Sequence, residues 1–175
     1  MKKLSRNNKL LISLIAILLV MVAVTASLNT GDRALKRQLE ADQQFIISWD
    51  GRQVFVTMDD ILSLHPKDYP AILDTSISDA KEVTVRGVEL SALLDYVGAP
   101  WESAEYFEIN GLDEYYSPVL LSEVQEPDNV LICIAMDGKA LGNKSSGGFG
   151  PYLMVIRNEL FSQRWCKYIE EVALR

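Results

Sequence analysis

The residues from Gly142 to Gly150, GNKSSGGFG, are the stretch of this chain best suited to close contact with another molecule. Glycine lets a main chain approach a ligand closely, and Phe149 stands in that loop with no apolar pattern to pack into. The loop lacks the Lys-Ser/Thr ending of a phosphate-binding loop, so nucleotide phosphates are not indicated. Hydrolytic and metal centres are equally hard to build. The chain has one histidine, His65, which precedes Pro66 and reads as an exposed helix-end residue, and two cysteines, Cys133 and Cys166, both inside expected strands. No Ser-His-Asp or Cys-His arrangement can be assembled from these, and zinc-ligand spacing is absent. The adjacent acids Asp59-Asp60, Asp113-Glu114 and Glu170-Glu171 read as solvated surface, since a glycosidase needs two carboxylates facing each other across a cleft.

The elements that must position this loop are short. Phe45 to Val56 reads as two strands around an Asp50-Gly51 turn. Thr57, with Asp60 three residues on, reads as the N-cap of a helix from Met58 to Leu64, ended by Pro66 and Pro70. A polar loop is expected over Asp74–Asp79, a strand over Lys81–Arg86, and an amphipathic helix over Val88–Val97 that stops at Gly98. Strands follow over Glu105–Ile109 and Tyr115–Leu121, with a turn entered at Ser122-Glu123-Val124. Val130–Met136 is apolar enough for a buried strand. It ends at the turn Asp137-Gly138, and after the loop come Tyr152–Ile156 and a last amphipathic strand from Arg164-Trp165. Many short strands with two short helices predict an α+β fold with a mainly antiparallel, mixed, barrel-like β core. No internal repeat is present.

The chain has 175 residues and a net charge of −7. Leu10 to Ala26 carries no charge and follows Lys2, Lys3, Arg6 and Lys9, the pattern of an export segment. Val24-Thr25-Ala26 before Ser27 suits signal peptidase, yet the run is also near the length of an uncleaved anchor, so residues 1–26 are a signal peptide or a membrane anchor. Residues 27–44 read as a polar linker or loose helix, and 45–175 as the domain. Setting the four leading cations aside leaves 13 basic against 24 acidic residues, a net −11. So acidic a body argues against nucleic acid, and against membrane contact other than through the N-terminal segment. Export permits a disulfide between Cys133 and Cys166, but two small buried hydrophobes fit as well.

The order of motifs resembles the small stand-alone domains related to the molybdopterin-binding domain of sulfite oxidase. Their "DGKPM…KGPLW.IYP…RWVWQL..I" pattern reads here as Asp137-Gly138-Lys139, then Gly150-Pro151-Tyr152-Leu153, then Arg164-Trp165, Lys167 and Ile169. Thr57 to Leu64 matches their "tl.eLl.lp" helix. Val85 to Leu90, with Leu93-Leu94, matches "f.GvpL.dLL". In that family a cysteine between the first helix and the "GvpL" segment holds molybdenum; here Pro66 to Arg86 contains none. The missing ligand argues against the molybdenum cofactor and against catalysis through it, and no covalent cofactor is expected. Relatives have "KGPL" where this chain has the longer Lys144–Pro151, which points to a different ligand, a free pterin.

The resemblance implies a pterin site. A pterin is flat, with an amino-pyrimidine edge and a carbonyl, and is gripped by aromatic faces, a carboxylate and backbone donors. The aromatic candidates are Tyr115, Tyr116, Phe149, Tyr152 and Trp165. The acids are Asp74, Asp113 and Glu114. The donors are in Ser145–Gly150, with Ser146 and Gly148 central, and Arg86 matches a position near the family pocket. Several have ordinary alternatives: Trp165 and one of Tyr115 and Tyr116 suit a core, and Arg86 suits a solvated strand end. The chain looks like exported domains that bind reduced pterins without catalysis and report to a membrane signalling protein, often one controlling cyclic di-GMP. The rival readings are a molybdopterin-dependent oxidoreductase and a ligand-free interaction module on the same fold. For the leading reading, Phe149→Ala and Trp165→Ala are expected to weaken pterin binding while the domain stays folded.

Overall fold

The computed structural model describes residues 6–75 and 78–175. Lys2 and Lys3 of the basic tail, and Ser76 and Ile77 of the expected polar loop, lie outside them. Arg6–Asp42 forms one helix, α1. Along its apolar run Leu11, Leu14, Ile17 and Leu18 are half or more exposed. Among the described residues no helix is long and apolar enough to cross a membrane. Two compact units divide the chain, the first ending at Gln38 and the second covering Leu39–Arg175. The second unit carries all the described strands.

These strands number eleven: β1 (Phe45–Trp49), β2 (Arg52–Val56), β3 (Lys67–Thr75), β4 (Ser78–Glu89), β5 (Tyr106–Gly111), β6 (Tyr116–Leu120), β7 (Val130–Met136), β8 (Lys139–Ala140), β9 (Leu153–Ile156), β10 (Cys166–Lys167) and β11 (Ile169–Leu174). One sheet has the order β2-β1-β11-β5-β6; the other runs β10-β9-β7-β4-β3, with β8 paired to β7. Every pairing is antiparallel except β1 with β11. The short helices after α1 are α2 (Met58–Ser63), α3 (Leu90–Tyr96) and α4 (Leu121–Gln125). The fold is thus α+β, a curled, mainly antiparallel half-barrel with few short helices, as the strand count predicts.

The main core draws on both sheets: Phe45 and Ile47 of β1, Phe107 and Ile109 of β5, Ile132 of β7 and Met154 of β9 are buried together under Leu90, Leu93 and Leu94 of α3. A second cluster covers the other face of β3, β4, β7 and β9 with Tyr69, Val85, Leu131, Leu153, Val155 and Trp165. Because β7 and β9 are covered on both faces, their sequences are continuous apolar runs.

Local chemistry sets several boundaries. Thr57 caps α2 in a complete capping box, its hydroxyl accepting from the Asp60 amide at 3.2 Å while Asp60 accepts from the Thr57 amide at 2.8 Å. The Thr57 hydroxyl also donates to the Asp60 carboxylate at 2.6 Å, and this bond, with those from the Thr57 amide and Tyr96, holds the Asp60 carboxyl below its usual range although burial opposes it. Asp50 and Gly51, and Asp137 and Gly138, both have positive φ, the geometry of tight hairpin turns.

Several expectations are corrected. Residues 74, 75, 78 and 79 belong to a long β3–β4 hairpin and not to a polar loop, with Thr75 opposite Ser78. Pro70 does not interrupt β3 because β3 is an edge strand, where a missing N–H costs no ladder bond. The third helix starts at Leu90, since β4 stays paired with β7 through Glu89. Ser122-Glu123-Val124 lies inside α4, with the Glu123 carboxylate accepting from the Leu120 amide at 2.8 Å. The last strand is broken at Tyr168, whose φ of 53° turns the chain from β10 in one sheet to β11 in the other.

Candidate functional site

Four separate segments converge on one cavity of about 310 Å³. The end of β3 supplies Leu73, Asp74 and Thr75. The β5–β6 turn supplies Asp113 and Tyr115, and the glycine-rich loop supplies Phe149. Ser162, Gln163, Trp165 and Lys167 come from the segment leading into β10. Asp74, Asp113, Tyr115, Phe149 and Trp165 are among the residues singled out by the resemblance, and the fold brings these five together.

Each wall is fixed by identifiable bonds. Ser162 ties the two chain segments that face each other: its hydroxyl donates to the Asp74 carbonyl at 2.5 Å and accepts from the Asp74 amide at 3.0 Å. Tyr115 donates its hydroxyl to the Gln163 carbonyl, and its amide donates to Asp113 Oδ1 at 3.2 Å. Burial pushes the Tyr115 phenol above its usual range, with nearby negative charge adding to it. Trp165 is 6 % exposed and donates its indole N–H to the Ile156 carbonyl at 3.2 Å. Gly111 is required where Asp113 turns in, because a Cβ there would sit 2.7 Å from Asp113 Oδ1 and 2.8 Å from the Lys167 carbonyl.

The glycine-rich loop is folded against its own base. The amides of Gly148, Phe149 and Gly150 donate to Asn143, Leu141 and Gly142 carbonyls at 3.0, 2.9 and 2.7 Å, and Ser146 and Gly147 amides donate to Asn143 and Lys144 carbonyls. A Cβ on Gly148 would lie 2.2 Å from the Leu141 carbonyl oxygen, so this glycine serves close packing of the loop on itself. The N–H groups of 146–150 are therefore committed internally, where the expectation had them turned to a ligand. Tyr168 holds the loop from below, donating its hydroxyl to the Gly148 carbonyl at 2.6 Å and its amide to the Phe149 carbonyl at 3.2 Å. Lys167 Nζ lies over the Phe149 ring, 4.2 Å from its centroid.

The remaining candidates lie elsewhere. Tyr152 is fully buried in the main core, edge-on to Phe45 at 4.8 Å, with its hydroxyl donating to the Gln43 carbonyl at 2.7 Å. Tyr116 is on the exposed face of the edge strand β6. Arg86 pairs with Asp68 at 2.9 Å, both more than half exposed. Ser146 lines a second cavity, of about 400 Å³, with Asn143, Gln43 and Met58. Gly148 shapes the loop without lining the first cavity, and Glu114 has a left-handed backbone in the β5–β6 turn.

Leu73, Thr75, Ser162, Gln163 and Lys167 were not anticipated as lining residues. Lys167 was accessible to sequence reasoning, since residues two apart in an extended segment share a face and Lys167 follows Trp165 by two.

The donors here do not fit a molybdenum centre of the sulfite-oxidase type. Cys133 and Cys166 are free and fully buried, without a disulfide. Burial raises both thiols, Cys166 to about 12, which disfavours the thiolate that a soft metal needs. Among the described residues no cluster of three His, Cys, Asp or Glu side chains is placed to hold a metal.

No family model matches the chain, and no curated protein matches it. Among solved structures, it is similar in fold to the sulfane dehydrogenase SoxCD from Paracoccus pantotrophus, with a TM-score of 0.62 and 16 % identity. The match covers 75 % of this chain and 37 % of that one, so this chain spans well under half of its neighbour's length. The class this defines is a fold related to a domain of that enzyme.

Proposed function

We propose that Leu39–Arg175 is a non-catalytic pterin-binding domain of the type related to the sulfite oxidase molybdopterin domain. In this reading it works in the periplasm, reached through the apolar N-terminal segment as signal peptide or anchor. It reports ligand occupancy to a membrane signalling protein, one controlling cyclic di-GMP being the leading example. The observation that carries the reading is the meeting of Asp74, Asp113, Tyr115, Phe149 and Trp165 in one cavity of about 310 Å³. A carboxylate suits the amino-pyrimidine edge, and aromatic side chains suit the faces. With the loop amides committed internally, the side-chain hydroxyl and amide groups that line the cavity are those of Thr75, Tyr115, Ser162 and Gln163. The fold likeness to a sulfane dehydrogenase domain supports the architecture and leaves the ligand to experiment.

The test is calorimetric titration of the full chain with reduced and oxidised monopterins, followed in parallel by tryptophan fluorescence. The expected result is saturable binding with quenching of Trp165. Absence of heat and of quenching with every pterin tried would sink the proposal. It would favour the interaction-module reading, for which Leu160, 84 % exposed, and Phe161 beside the cavity-lining Ser162 already offer an apolar contact.

A further inference from the structure

We infer that Lys167 is a built-in competitor of the ligand, occupying the Phe149 ring face until a stacking molecule displaces it. The inference rests on the reading of this cavity as a site for a flat heterocycle and adds a specificity-determining residue to it. Lys167 and Phe149 line the same cavity, and the ammonium sits 4.2 Å from the ring centroid, well inside cation–π range. Lys167 is the one cation among the lining residues, in the company of Asp74 and Asp113. Among the described residues it nonetheless forms no ion pair. The position is forced by the backbone: Lys167 belongs to β10, opposite Leu153, with the cavity-lining Trp165 two residues before it and Cys166 buried between them. The Phe149 backbone is in turn fixed through Leu141 and Tyr168. A heterocycle can stack on Phe149 only after the ammonium leaves the ring. Once displaced, the ammonium remains in a cavity lined by two carboxylates, Asp113 and Asp74. The face is therefore selective for ligands whose stacking exceeds one cation–π contact, which favours broad fused rings over single rings.

The experiment compares the full chain in detergent with its Lys167→Met and Lys167→Arg variants, titrated calorimetrically with 6-methyltetrahydropterin. That probe carries no anionic tail with which Lys167 could pair. Loss of an exposed cation–π contact corresponds to an affinity gain of about two- to fivefold. Lys167→Met is expected to bind that much tighter, and Lys167→Arg to stay at or below the parent affinity. In the free protein the Lys167 side-chain methylene protons closest to nitrogen are expected to show an upfield ring-current shift. That shift should vanish in Phe149→Leu and on saturation with the probe. Equal affinity of the parent and Lys167→Met overturns the inference alone, as does weaker binding by Lys167→Met, which would make the lysine a gripping residue. No binding by any of the three chains overturns the pterin reading and the inference with it.

Discussion

At the scale of single residues, the cavity separates side chains that contact space from side chains that hold the walls. Phe149 is half-buried and its ring lines the cavity. Phe149→Ala is expected to weaken pterin binding by up to about tenfold, the worth of one aromatic stacking contact, with little change in melting temperature; calorimetry beside a thermal melt checks both. Trp165 cannot be tested in the same way. It is buried among Tyr69, Leu131 and Leu153, so Trp165→Ala is expected to cost about 3–5 kcal/mol of stability, as large-to-small core changes do. The expectation that both variants remain folded is therefore kept for Phe149 and withdrawn for Trp165. A different residue-scale effect concerns pH. Arg164 pairs with Glu123 at 2.5 Å and with Glu159. Burial would raise the Glu123 carboxyl, but hydrogen bonds from Arg164 and the Leu120 amide, with the Arg164 charge, outweigh it and leave it below its usual range. A carboxyl lowered in the folded state contributes stability above its unfolded pKa, and that contribution is lost as pH falls through the folded value. The chain is expected to lose melting temperature on acidification through and below the usual carboxylate range, and Glu123→Gln to start lower at neutral pH and to lose less. Parallel slopes for the two chains would remove Glu123 from the acid response.

At the scale of elements, what was legible in the sequence was whatever local chemistry decides. The Thr57–Asp60 capping box, the two Asp-Gly turns and the apolar run Val130–Met136 stand where they were expected, because each depends on residues a few positions apart. The hidden parts depend on distant partners. Nothing in Lys67–Thr75 announces an edge strand, and Pro70 argues against one until β4 supplies its neighbour. Ser162 is an ordinary serine until β3 lies against it, and the loop amides look available until Leu141, Gly142 and Asn143 fold back onto them. The glycines of the loop were read as access for a ligand, yet Gly148 is needed for contact with the loop's own base. Both the loop packing and the serine tie can be tested by single substitutions. Gly148→Ala places a Cβ 2.2 Å from a carbonyl oxygen, so the loop must open. Faster amide exchange across 141–150 is the expected result, and an unchanged pattern would show that the packing is looser than this. Ser162→Ala removes both bonds to Asp74 and is expected to cost about 1 kcal/mol, the net worth of a typical hydrogen bond, since Asp74 is only half-buried. Denaturant unfolding measures it, with unchanged m-values required for the comparison.

At the scale of the whole molecule, the boundary of the folded unit decides how much chain is needed for function. Sequence pattern places the domain start at 45, where the first expected strand begins, whereas the compact unit begins at Leu39. Leu39 is 1 % exposed, and the Gln44 amide donates to its carbonyl at 2.9 Å. The buried Tyr152 hydroxyl donates to the carbonyl of Gln43, whose φ is 51°. The last turn of α1 is thus part of this unit, and one of three leucines in a polar stretch was too thin a signal to reveal it. Tyr152 also follows Gly150-Pro151 at the end of the loop that carries Phe149, so the segment 39–44 is bonded to the residue that joins this loop to β9. Chains beginning at Leu39 and at Phe45 separate the alternatives. The longer is expected to fold. The shorter loses the buried leucine, worth about 2–5 kcal/mol by analogy with leucine truncation, and leaves the Tyr152 hydroxyl without its acceptor, about 1–3 kcal/mol more. A domain of this size has a total stability of only about 5–15 kcal/mol, so the shorter chain is expected to melt far lower or not to fold. If both chains melt at the same temperature, residues 39–44 are dispensable, and the loop is held without them.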